Sequence, residues 1–375
     1  MKIGIDCRMM GLKHAGIGRY VENLVTEVLK MDKDNEYVLF TSKEFTQKPQ
    51  FQGGNVKLVA TEIPHYSLKE QFLMPTLIAR EKVDLMHFPH FNVPVFYRGR
   101  YIVTIHDLIK HASRGTATTT RNPLVYWLKY LGYKLVFGLA VLRASKILVP
   151  SQEVKSELAN EYHLPLEKIV VSYEGVDEAI KSDLSPKSVL SKYQIKSPFL
   201  LYVGSVYPHK NIERLIEAVK ILIANYKLPI TLVIVCGRSV FWERLQKTIR
   251  QMKAEKLVNL VGFVPNEELA VLYRQASAFV FPSLSEGFGL PGLEAMAQGT
   301  PVVASDIPVF REVYGVAAEY FNPLDSHDIA QKIKLVMADK KRREKLVEEG
   351  QRQVKKYSWE KMASETLLVY NSALR

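Results

Sequence analysis

Short apolar runs alternate with longer amphipathic segments along most of this chain. In the first half, strands are predicted at "KIGIDCR", "EYVLFTS", "VKLVAT", "VDLMHFP", "YIVTIHD", "SKILVPS" and "KIVVSYEGVD", and a helix from about Arg19 to Lys30. In the second half, strands are predicted at "PFLLYVGS", "ITLVIVCG", "VNLVGFV", "AFVFPS" and "PVVAS", with helices at "IERLIEAVKILIANY", "NEELAVLYRQA" and "GLEAMAQG". Strands that alternate with helices of about 10–15 residues indicate βαβ units and parallel sheets. The pattern predicts an α/β protein with two such halves.

The two halves are predicted to be separate domains. A chain of 375 residues is too long for one hydrophobic core. We place the first domain at residues 1–180, an interdomain linker at 181–197 and the second domain at 198–357. The linker falls in the polar stretch from Asp177 to Pro198, which holds two prolines and no clean strand.

Chemically distinctive residues follow several predicted strands. Because the carboxyl ends of parallel strands meet at one edge of a sheet, ligands bind there. We expect the side chains at these ends to converge, with the two domains facing each other across a cleft. The candidates are Gly204, Ser205, Lys210, Arg238 and Glu286 in the second domain, and the "GIGRY" loop with His106 and Asp107 in the first.

The stretch "PSLSEGFGLPGLEAMAQGTPVVAS" combines a strand end, a glycine loop and a helix start. Glycines let backbone amides approach a ligand closely, and Pro291 suits a first helical turn. We expect Glu294 in that turn, where free amides and the helix dipole favour phosphate oxygens. Glu286 and Glu294 could bind vicinal hydroxyls on either side of such a phosphate. A carboxylate that merely stabilises the helix dipole is the alternative for Glu294.

These motifs resemble the retaining glycosyltransferases of family 4, which have the GT-B fold. "EGFGLPGLE" is similar to their E-x7-E signature. The other matching segments, in the family's order, are "GIGRYVENL", "YSLKEQ", "DLMHFPHFNVP", "VTIHDL", "VPSQEVKSEL", "YVGSVYPHKNIERLIEA", "LVGFVPNEELAVLYRQA" and "YSWEKM". The resemblance implies two Rossmann-like domains, the first binding the acceptor and the second the nucleotide-sugar donor. It also implies that residues 358–375 form a helix packing back on the first domain.

The resemblance also implies roles for individual residues. Glu286 would bind donor-sugar hydroxyls, Glu294 the ribose hydroxyls and Lys210 the diphosphate, while His106 would contact the sugar near the reacting carbon. The implied catalytic residues are His106, Lys210 and Glu286. The implied donor-binding residues are Gly16, Gly18, Gly204, Ser205, Lys210, Arg238, Glu286, Gly287, Phe288, Gly289, Leu290 and Glu294. A histidine satisfied at a strand end is the alternative for His106, and a solvated side chain is the alternative for Arg238.

The chain departs from the family at Gly204-Ser205-Val206, where many members carry an arginine. The second cation on the diphosphate would then be absent or come from His209 or Arg238. A subset of members, often mannosyltransferases, shares the pattern "GSVYPHKN". The resemblance therefore implies transfer of a hexose, with GDP-mannose the favoured donor, to a glycan or lipid-linked glycan of the cell envelope.

Three other functions stay open at this point. A transferase that uses a UDP-sugar, a nucleotide-sugar epimerase of the same fold and a carbohydrate-binding protein without activity would share many of these features. The resemblance implies no cofactor and a metal-independent reaction that needs no protein nucleophile. The "DKD" run from Asp32 to Asp34 is interpreted as solvated turn residues. Closure of the domains around the donor, with the linker as hinge, is expected.

The formal net charge of +12 indicates anionic partners. Residues 98–146 hold nine basic residues and one acid, and the segment from Asn122 to Ser145 interleaves them with aromatic residues. A peripheral contact with an anionic membrane would explain this pattern, and a buried helix whose lysines reach solvent is the alternative. We expect no nucleic-acid partner, because no such motif accompanies the charge.

The chain is expected to work in the cytoplasm or on the inner face of the cytoplasmic membrane. The segment from Met1 to Gly11 does not resemble a signal peptide, and no run reaches the ~18 apolar residues of a membrane span. Cys7 and Cys236 lie in apolar runs and are expected to be buried free thiols. No spacing of Cys or His indicates a metal site.

Overall fold

The computed structural model of the protein describes residues 1–11, 15–51, 53–112, 123–177 and 182–373. The chain divides into two compact units. The first comprises Met1–Gly175 and Ser358–Arg375, and the second comprises Val176–Tyr357.

The first unit is built on a parallel sheet with the strand order β3-β2-β1-β4-β5-β6-β7. Its strands are β1 Lys2–Asp6, β2 Glu36–Thr41, β3 Val56–Ala60, β4 Leu85–Phe88, β5 Tyr101–Thr104, β6 Lys146–Val149 and β7 Ile169–Val171. Its helices up to this point are α1 Ala15–Met31, α2 Leu68–Glu81, α3 Ile109–Ala112, α4 Pro123–Arg143 and α5 Gln152–Tyr162. The middle strands β4 and β5 are buried along their whole length, as expected for strands covered on both faces.

The second unit repeats this architecture with the parallel order β10-β9-β8-β11-β12-β13. Its strands are β8 Phe199–Val203, β9 Thr231–Val235, β10 Val258–Gly262, β11 Ala278–Phe281, β12 Val302–Ser305 and β13 Ala318–Phe321. Its helices are α6 Pro186–Lys192, α7 Ile212–Tyr226, α8 Val240–Gln251, α9 Asn266–Gln275, α10 Leu290–Ala297, α11 Pro308–Tyr314, α12 Ser326–Ala338 and α13 Lys340–Val354. The predicted strands of both halves are confirmed, whereas β13 and α11–α13 were not assigned from the sequence.

The last helix, α14 Trp359–Ala373, returns to the first unit as the sequence predicted. It packs on α1. The Tyr370 hydroxyl lies 2.8 Å from His87 Nδ1 inside the sheet, and the Ser172 hydroxyl donates to the Met362 carbonyl at 3.4 Å. Burial lowers the pKa of His87 to about 3, so its imidazole is neutral and its hydrogen bonds to Tyr370 and Thr104 need no charge.

The predicted linker at residues 181–197 differs from the structure. Residue 181 lies outside the described residues. The Pro186–Lys192 segment forms α6, which packs on α9, so this stretch belongs to the second unit from Val176 onwards. Pro186 occupies the first turn of that helix, where its missing amide costs nothing. Of the two prolines that suggested a connection, Pro186 thus begins a helix and Pro198 directly precedes β8.

The interpretation of Asp32 as a solvated turn residue is wrong. Its carboxylate is buried and accepts hydrogen bonds from the Tyr37 hydroxyl at 2.5 Å, from the Asn35 side chain at 2.5 Å and from the amides of Asp34 and Asn35. Burial opposes ionisation, but these donors together lower the pKa of Asp32. Asp32 therefore closes the turn between α1 and β2.

Candidate active site

The loop between β11 and α10 has a main chain that only glycine tolerates at one position. Gly289 has φ +97° and stands directly before the first residue of α10. The Tyr314 hydroxyl donates to its carbonyl, and a Cβ on Gly289 would overlap Tyr314 and the Phe310 ring. Helix α10 has no side-chain cap; Pro291 has no N–H group, and the Gly292 amide donates to the Gly289 carbonyl at 3.1 Å, so the Leu290 amide is the one that no side chain caps. Phe288 is buried against Tyr357 with ring centroids 5.5 Å apart, which anchors the loop from the other side.

Lys210 and Glu286 form an ion pair at the adjacent ends of β8 and β11. Lys210 Nζ donates to Glu286 Oε1 at 2.5 Å, and both side chains are almost buried. Asn211, with φ +59°, ties the two loops together, because its Nδ2 donates to the Pro282 carbonyl at 3.0 Å. An ammonium group has three N–H donors, so the contact with Glu286 leaves two for other acceptors.

Glu294 lies in the second turn of α10, not in the first turn as predicted. The helix begins at Leu290, one residue after Gly289, so Glu294 is its fifth residue. The Tyr273 hydroxyl donates to Glu294 Oε2 at 3.2 Å, and Tyr273 is buried in α9. The helix-dipole alternative is therefore weaker, since that effect fades beyond the first turn.

The ends of β8 and β9 carry the remaining predicted residues of the second unit. Gly204 has φ +147° and donates its amide to the Val235 carbonyl at 3.0 Å. The buried Tyr202 hydroxyl donates to the Ser205 carbonyl at 2.5 Å, which fixes the turn and leaves Ser205 exposed. Arg238 is exposed, and its Cζ lies 5.5 Å from the centroid of the Trp242 ring.

Gly16 and Gly18 lie in the first turn of α1, whereas the sequence predicted a loop and a later helix start. A Cβ on Gly18 would overlap the Gly11 carbonyl, so the helix start packs directly on the chain that leaves β1. Gly16 has open space around its Cα. Close main-chain packing thus requires glycine at position 18, whereas the contacts of position 16 do not.

His106 follows β5 and is held by two acceptors. Its Nε2 lies 3.0 Å from the Pro89 carbonyl oxygen, and its Nδ1 lies 3.3 Å from Glu174 Oε1. A carbonyl and a carboxylate are acceptors, so this position suits an imidazolium, which donates from both ring nitrogens. Burial alone would lower the pKa of His106, but Glu174, the Pro89 carbonyl and Asp107 together raise it. The partners of His106 therefore favour its protonated form.

Glu174 is a site residue that the sequence analysis missed. It lies three residues after β7, within the run "SYEGVD" that was used only as a strand signal. Its position at a strand end, like that of His106, was the signal that could have indicated it. The two strand ends are 68 residues apart in the chain, so only the parallel order of the sheet brings them together.

Comparisons with known proteins match both units. Residues 14–180 match the family model "Glycosyltransferase Family 4", and residues 190–353 match the model "Glycosyl transferases group 1". The chain is 33% identical over 259 residues to the O-antigen chain mannosyltransferase RfbU of Salmonella typhimurium, covering 64% of this chain and 70% of that protein.

The chain belongs to the family 4 glycosyltransferases.

Further similarities extend over the whole length of this glycosyltransferase. It is 29% identical over 380 residues to the O-antigen chain mannosyltransferase B of Escherichia coli, with 95% of each chain covered. It is also similar to the structure of sucrose-phosphate synthase from Thermosynechococcus elongatus, with a TM-score of 0.76, 20% identity and coverage of 99% and 98% of the two chains. The two parallel-sheet units with the returning α14 are the GT-B fold.

The chemistry of glycosyl transfer fits the charges of this glycosyltransferase. Breaking the bond to the leaving group develops negative charge on its oxygen and positive charge on the anomeric carbon. The Lys210 ammonium and the uncapped start of α10 can stabilise the negative charge, and the Glu286 carboxylate beside Lys210 can accept hydrogen bonds from hydroxyls. Both cysteines are buried and free. In the described ranges of the chain, no three His, Cys, Asp or Glu side chains group as metal ligands.

We expect Glu174→Gln to lower the free energy of unfolding most below about pH 6.5, the ordinary pKa of histidine. Because the folded state raises the pKa of His106, the stability from its charge is complete below that pH. It is lost as the pH rises through the folded-state pKa. The variant's free energy of unfolding should be lower than that of the wild type by about 1–3 kcal/mol near pH 6, because the charged form of His106 loses its partner. The difference should be smaller near pH 9. Denaturant unfolding at a series of pH values measures it.

The matched control is Glu161→Gln, which removes a more exposed carboxylate paired with Lys134. Its effect should be below about 1 kcal/mol and should show no step near the pKa of His106. A Glu174→Gln deficit of equal size at both ends of the pH range would contradict a charged His106.

Gly289→Ala should destabilise the second unit more than Gly262→Ala. Both glycines have similar positive φ angles, +97° and +91°, but Gly262 has no atom within 4 Å of an added Cβ. The Gly262 variant should lose about 1 kcal/mol of stability from main-chain strain alone. The Gly289 variant should lose about 1–3 kcal/mol more, because its added Cβ overpacks the site. Melting temperatures of the two purified variants test this, and equal losses would refute the steric account.

Proposed function

We propose that this enzyme transfers mannose from GDP-mannose to a glycan or lipid-linked glycan during synthesis of a cell-envelope polysaccharide. The observation that carries the proposal is the similarity to two O-antigen mannosyltransferases, one of them over 95% of both chains. The Lys210–Glu286 pair beside an uncapped helix start supports it, because a diphosphate and a sugar need those groups together.

In this proposal each site residue of the second unit binds one part of the donor. Lys210 and the amides from Gly287 to Leu290 neutralise the diphosphate. Glu286 binds hydroxyls of the mannose, and Glu294, oriented by Tyr273, binds the ribose hydroxyls. Arg238 remains a candidate for a further phosphate contact, since its guanidinium is exposed at a strand end.

The proposed reaction retains the anomeric configuration. The acceptor hydroxyl attacks the anomeric carbon on the face that the diphosphate leaves, forming the new glycosidic bond as the sugar–phosphate bond breaks. The hydroxyl proton passes to the departing phosphate oxygen, so atoms and charge balance without a protein nucleophile. We propose that no metal ion is required, because Lys210 and the helix amides supply the positive charge.

A UDP-sugar-dependent transferase and an epimerase of the same fold are the competing activities. They differ from the proposal in measurable ways. A UDP-sugar transferase would bind a different nucleotide, whereas an epimerase would convert the donor with no acceptor present.

GDP-mannose should raise the melting temperature of the enzyme more than UDP-glucose, UDP-GlcNAc or UDP-galactose. A ligand that binds only the folded state stabilises it by about 2.7 kcal/mol at a hundredfold excess over its dissociation constant. The shift should vanish in Lys210→Ala and shrink in Glu294→Ala, measured by thermal unfolding in EDTA. Lys247→Ala, in the middle of α8, is the matched lysine control and should keep the full shift.

Each of the other possible results of this experiment distinguishes between the competing activities. A shift with one UDP-sugar alone would assign that donor instead of GDP-mannose. Conversion of the donor without an acceptor would favour the epimerase, and a product with inverted configuration by NMR would refute retention. No shift with any of the four would favour a protein without transferase activity.

We further propose that the first unit contacts the inner face of the cytoplasmic membrane through α4. In the described part of the chain, no helix is long and apolar enough to cross a membrane. The helix exposes a row of leucines, Leu128, Leu131, Leu135 and Leu142, which share one face at helical spacing. Trp127 is half exposed beside them. This face supports the membrane interpretation over a fully buried helix.

The basic residues of 98–146 contribute less to attraction to an anionic membrane than their number suggested. Arg114 and Arg121 lie outside the described residues. Arg143 donates to the carbonyls of Val95 and Tyr97, and Lys134 pairs with Glu161. The proposal therefore depends on the leucine face, with exposed residues such as Lys129 adding attraction to anionic lipid.

Leu128→Asp with Leu131→Asp should reduce cosedimentation with phosphatidylglycerol vesicles at least about tenfold. Both side chains are mostly exposed, so the melting temperature should be unchanged. Leu368→Asp, at an equally exposed leucine on α14, is the control and should bind vesicles like the wild type. Unchanged binding of the double variant would exclude α4 as the contact.

A further inference from the structure

Tyr66 adopts a main-chain conformation that bulky residues avoid. Its φ is +60°, in the left-handed region, and it stands just before Ser67, the residue that caps α2. Glycine or asparagine would take this conformation more easily. Strained bulky residues persist where the surrounding structure holds them, and they are concentrated at functional sites.

A buried ionic network holds Tyr66 in this conformation. The Tyr66 amide donates to Glu70 Oε2 at 2.7 Å, and Asn92 Nδ2 donates to the same oxygen at 2.7 Å. The other oxygen, Glu70 Oε1, accepts from Arg8 Nη2 at 2.6 Å, and the same nitrogen bonds Asp6 at 2.6 Å.

The charges in this network are buried: the side chains of Arg8, Asp6 and Glu70 are 3%, 8% and 0% exposed. Burying charges is costly unless they are paired and hydrogen-bonded, as these are. The network connects β1, α2 and the segment after β4. Arg8 Nη1 also donates to the carbonyl of Ile63 at 3.1 Å, three residues before Tyr66. The described contacts thus fix the turn that carries Tyr66.

Residue Tyr66 is nevertheless 56% exposed. Its ring lies edge-on to the His90 ring at 6.0 Å and tilted against Phe91 at 6.0 Å, and Lys110 Nζ lies over it, 5.9 Å from the centroid. An exposed aromatic side chain therefore lies beside groups that can form hydrogen bonds. That combination suits a ligand with an apolar face and a polar edge.

Tyr66 follows β3 and therefore lies at the edge of the first sheet formed by the carboxyl ends of its strands, the edge at which parallel sheets bind ligands. His90 follows Pro89 directly, and the Pro89 carbonyl accepts from His106. The segment after β4 therefore connects the Tyr66 ring to His106 through one peptide unit. Both belong to the first unit, which the family resemblance assigns to the acceptor.

We propose that Tyr66 is the platform on which the acceptor saccharide stacks, with His90 and Lys110 at its polar rim. A pyranose ring has a face of C–H groups that packs on an aromatic ring, while its hydroxyls point outward to donors and acceptors. Free mannosides and the sugar of a lipid-linked glycan share this chemistry. The inference rests on the proposed function, since that function supplies the saccharide acceptor.

The test compares wild type with Tyr66→Phe, Tyr66→Ala and Tyr66→Gly. Binding of methyl α-mannoside and of α-linked mannobiose is titrated by saturation-transfer NMR. The GDP-induced rise in melting temperature is measured on the same samples as the readout of the second unit. Leu166→Ala, at a similarly exposed side chain in the first unit, is the surface control.

Tyr66→Phe keeps the ring and should bind the mannosides within about twofold of wild type. Tyr66→Ala and Tyr66→Gly should bind about tenfold more weakly, a loss of about 1.4 kcal/mol. Tyr66→Gly should melt no lower than Tyr66→Ala, because glycine relieves the main-chain strain. All variants should keep the GDP shift.

A Tyr66→Gly protein that binds both mannosides like wild type would overturn the inference, as would a wild type that binds neither at the highest soluble concentration. Loss of vesicle binding without loss of mannoside binding would assign the ring to the membrane face and also overturn it. In each case a retained GDP shift leaves the proposed donor in place. Absence of that shift in the wild type would instead refute the donor proposal.

Discussion

Parallel pairing of the strands is the constraint on which the rest of this structure depends. Parallel strands need a crossover after each strand, so every strand in a sheet ends at the same edge. In the second unit this brings the ends of β8 and β11 together, and Lys210 meets Glu286 across 76 residues of chain. In the first unit it brings His106 to Glu174 in the same way.

The two units hold their polar residues by different physical means. The second unit uses main-chain geometry. Gly204 and Gly289 take positive φ angles, and Asn211 bonds two loops together, so that amides and an ion pair face the strand ends. The Lys210 ammonium in this site is already paired with the Glu286 carboxylate, and two of its three donors remain for a phosphate.

The first unit also contains a network of fully buried charges. Arg8, Asp6 and Glu70 must pair, because any one of them alone would be an unpaired buried charge. His106 and Glu174 are about as exposed as Lys210 and Glu286. Such pairs fix the turns that they connect. The phenol of Tyr66 and the imidazole of His106 are thereby presented in set positions, after β3 and β5.

The aromatic residues around Tyr66 continue to helix α4. Phe91 packs against Tyr66 and, with ring centroids 5.1 Å apart, against Tyr133 of α4. The exposed leucines lie on the opposite face of the same helix, so α4 presents one face to the first unit and the other to solvent.

The sequence by itself determined the elements and the strand-end residues. Apolar runs and amphipathic segments depend on local spacing, so the strands up to β12 and the helix at Ile212–Tyr226 were predictable. The positions of Lys210, Glu286 and His106 after strands followed from the same pattern.

Only the tertiary structure decided the rest. The pairing of Glu174 with His106 and the contacts of Glu70 with Arg8 and Asn92 beside Tyr66 depend on partners distant in sequence. No local pattern records those partners, because packing and sheet order bring them together.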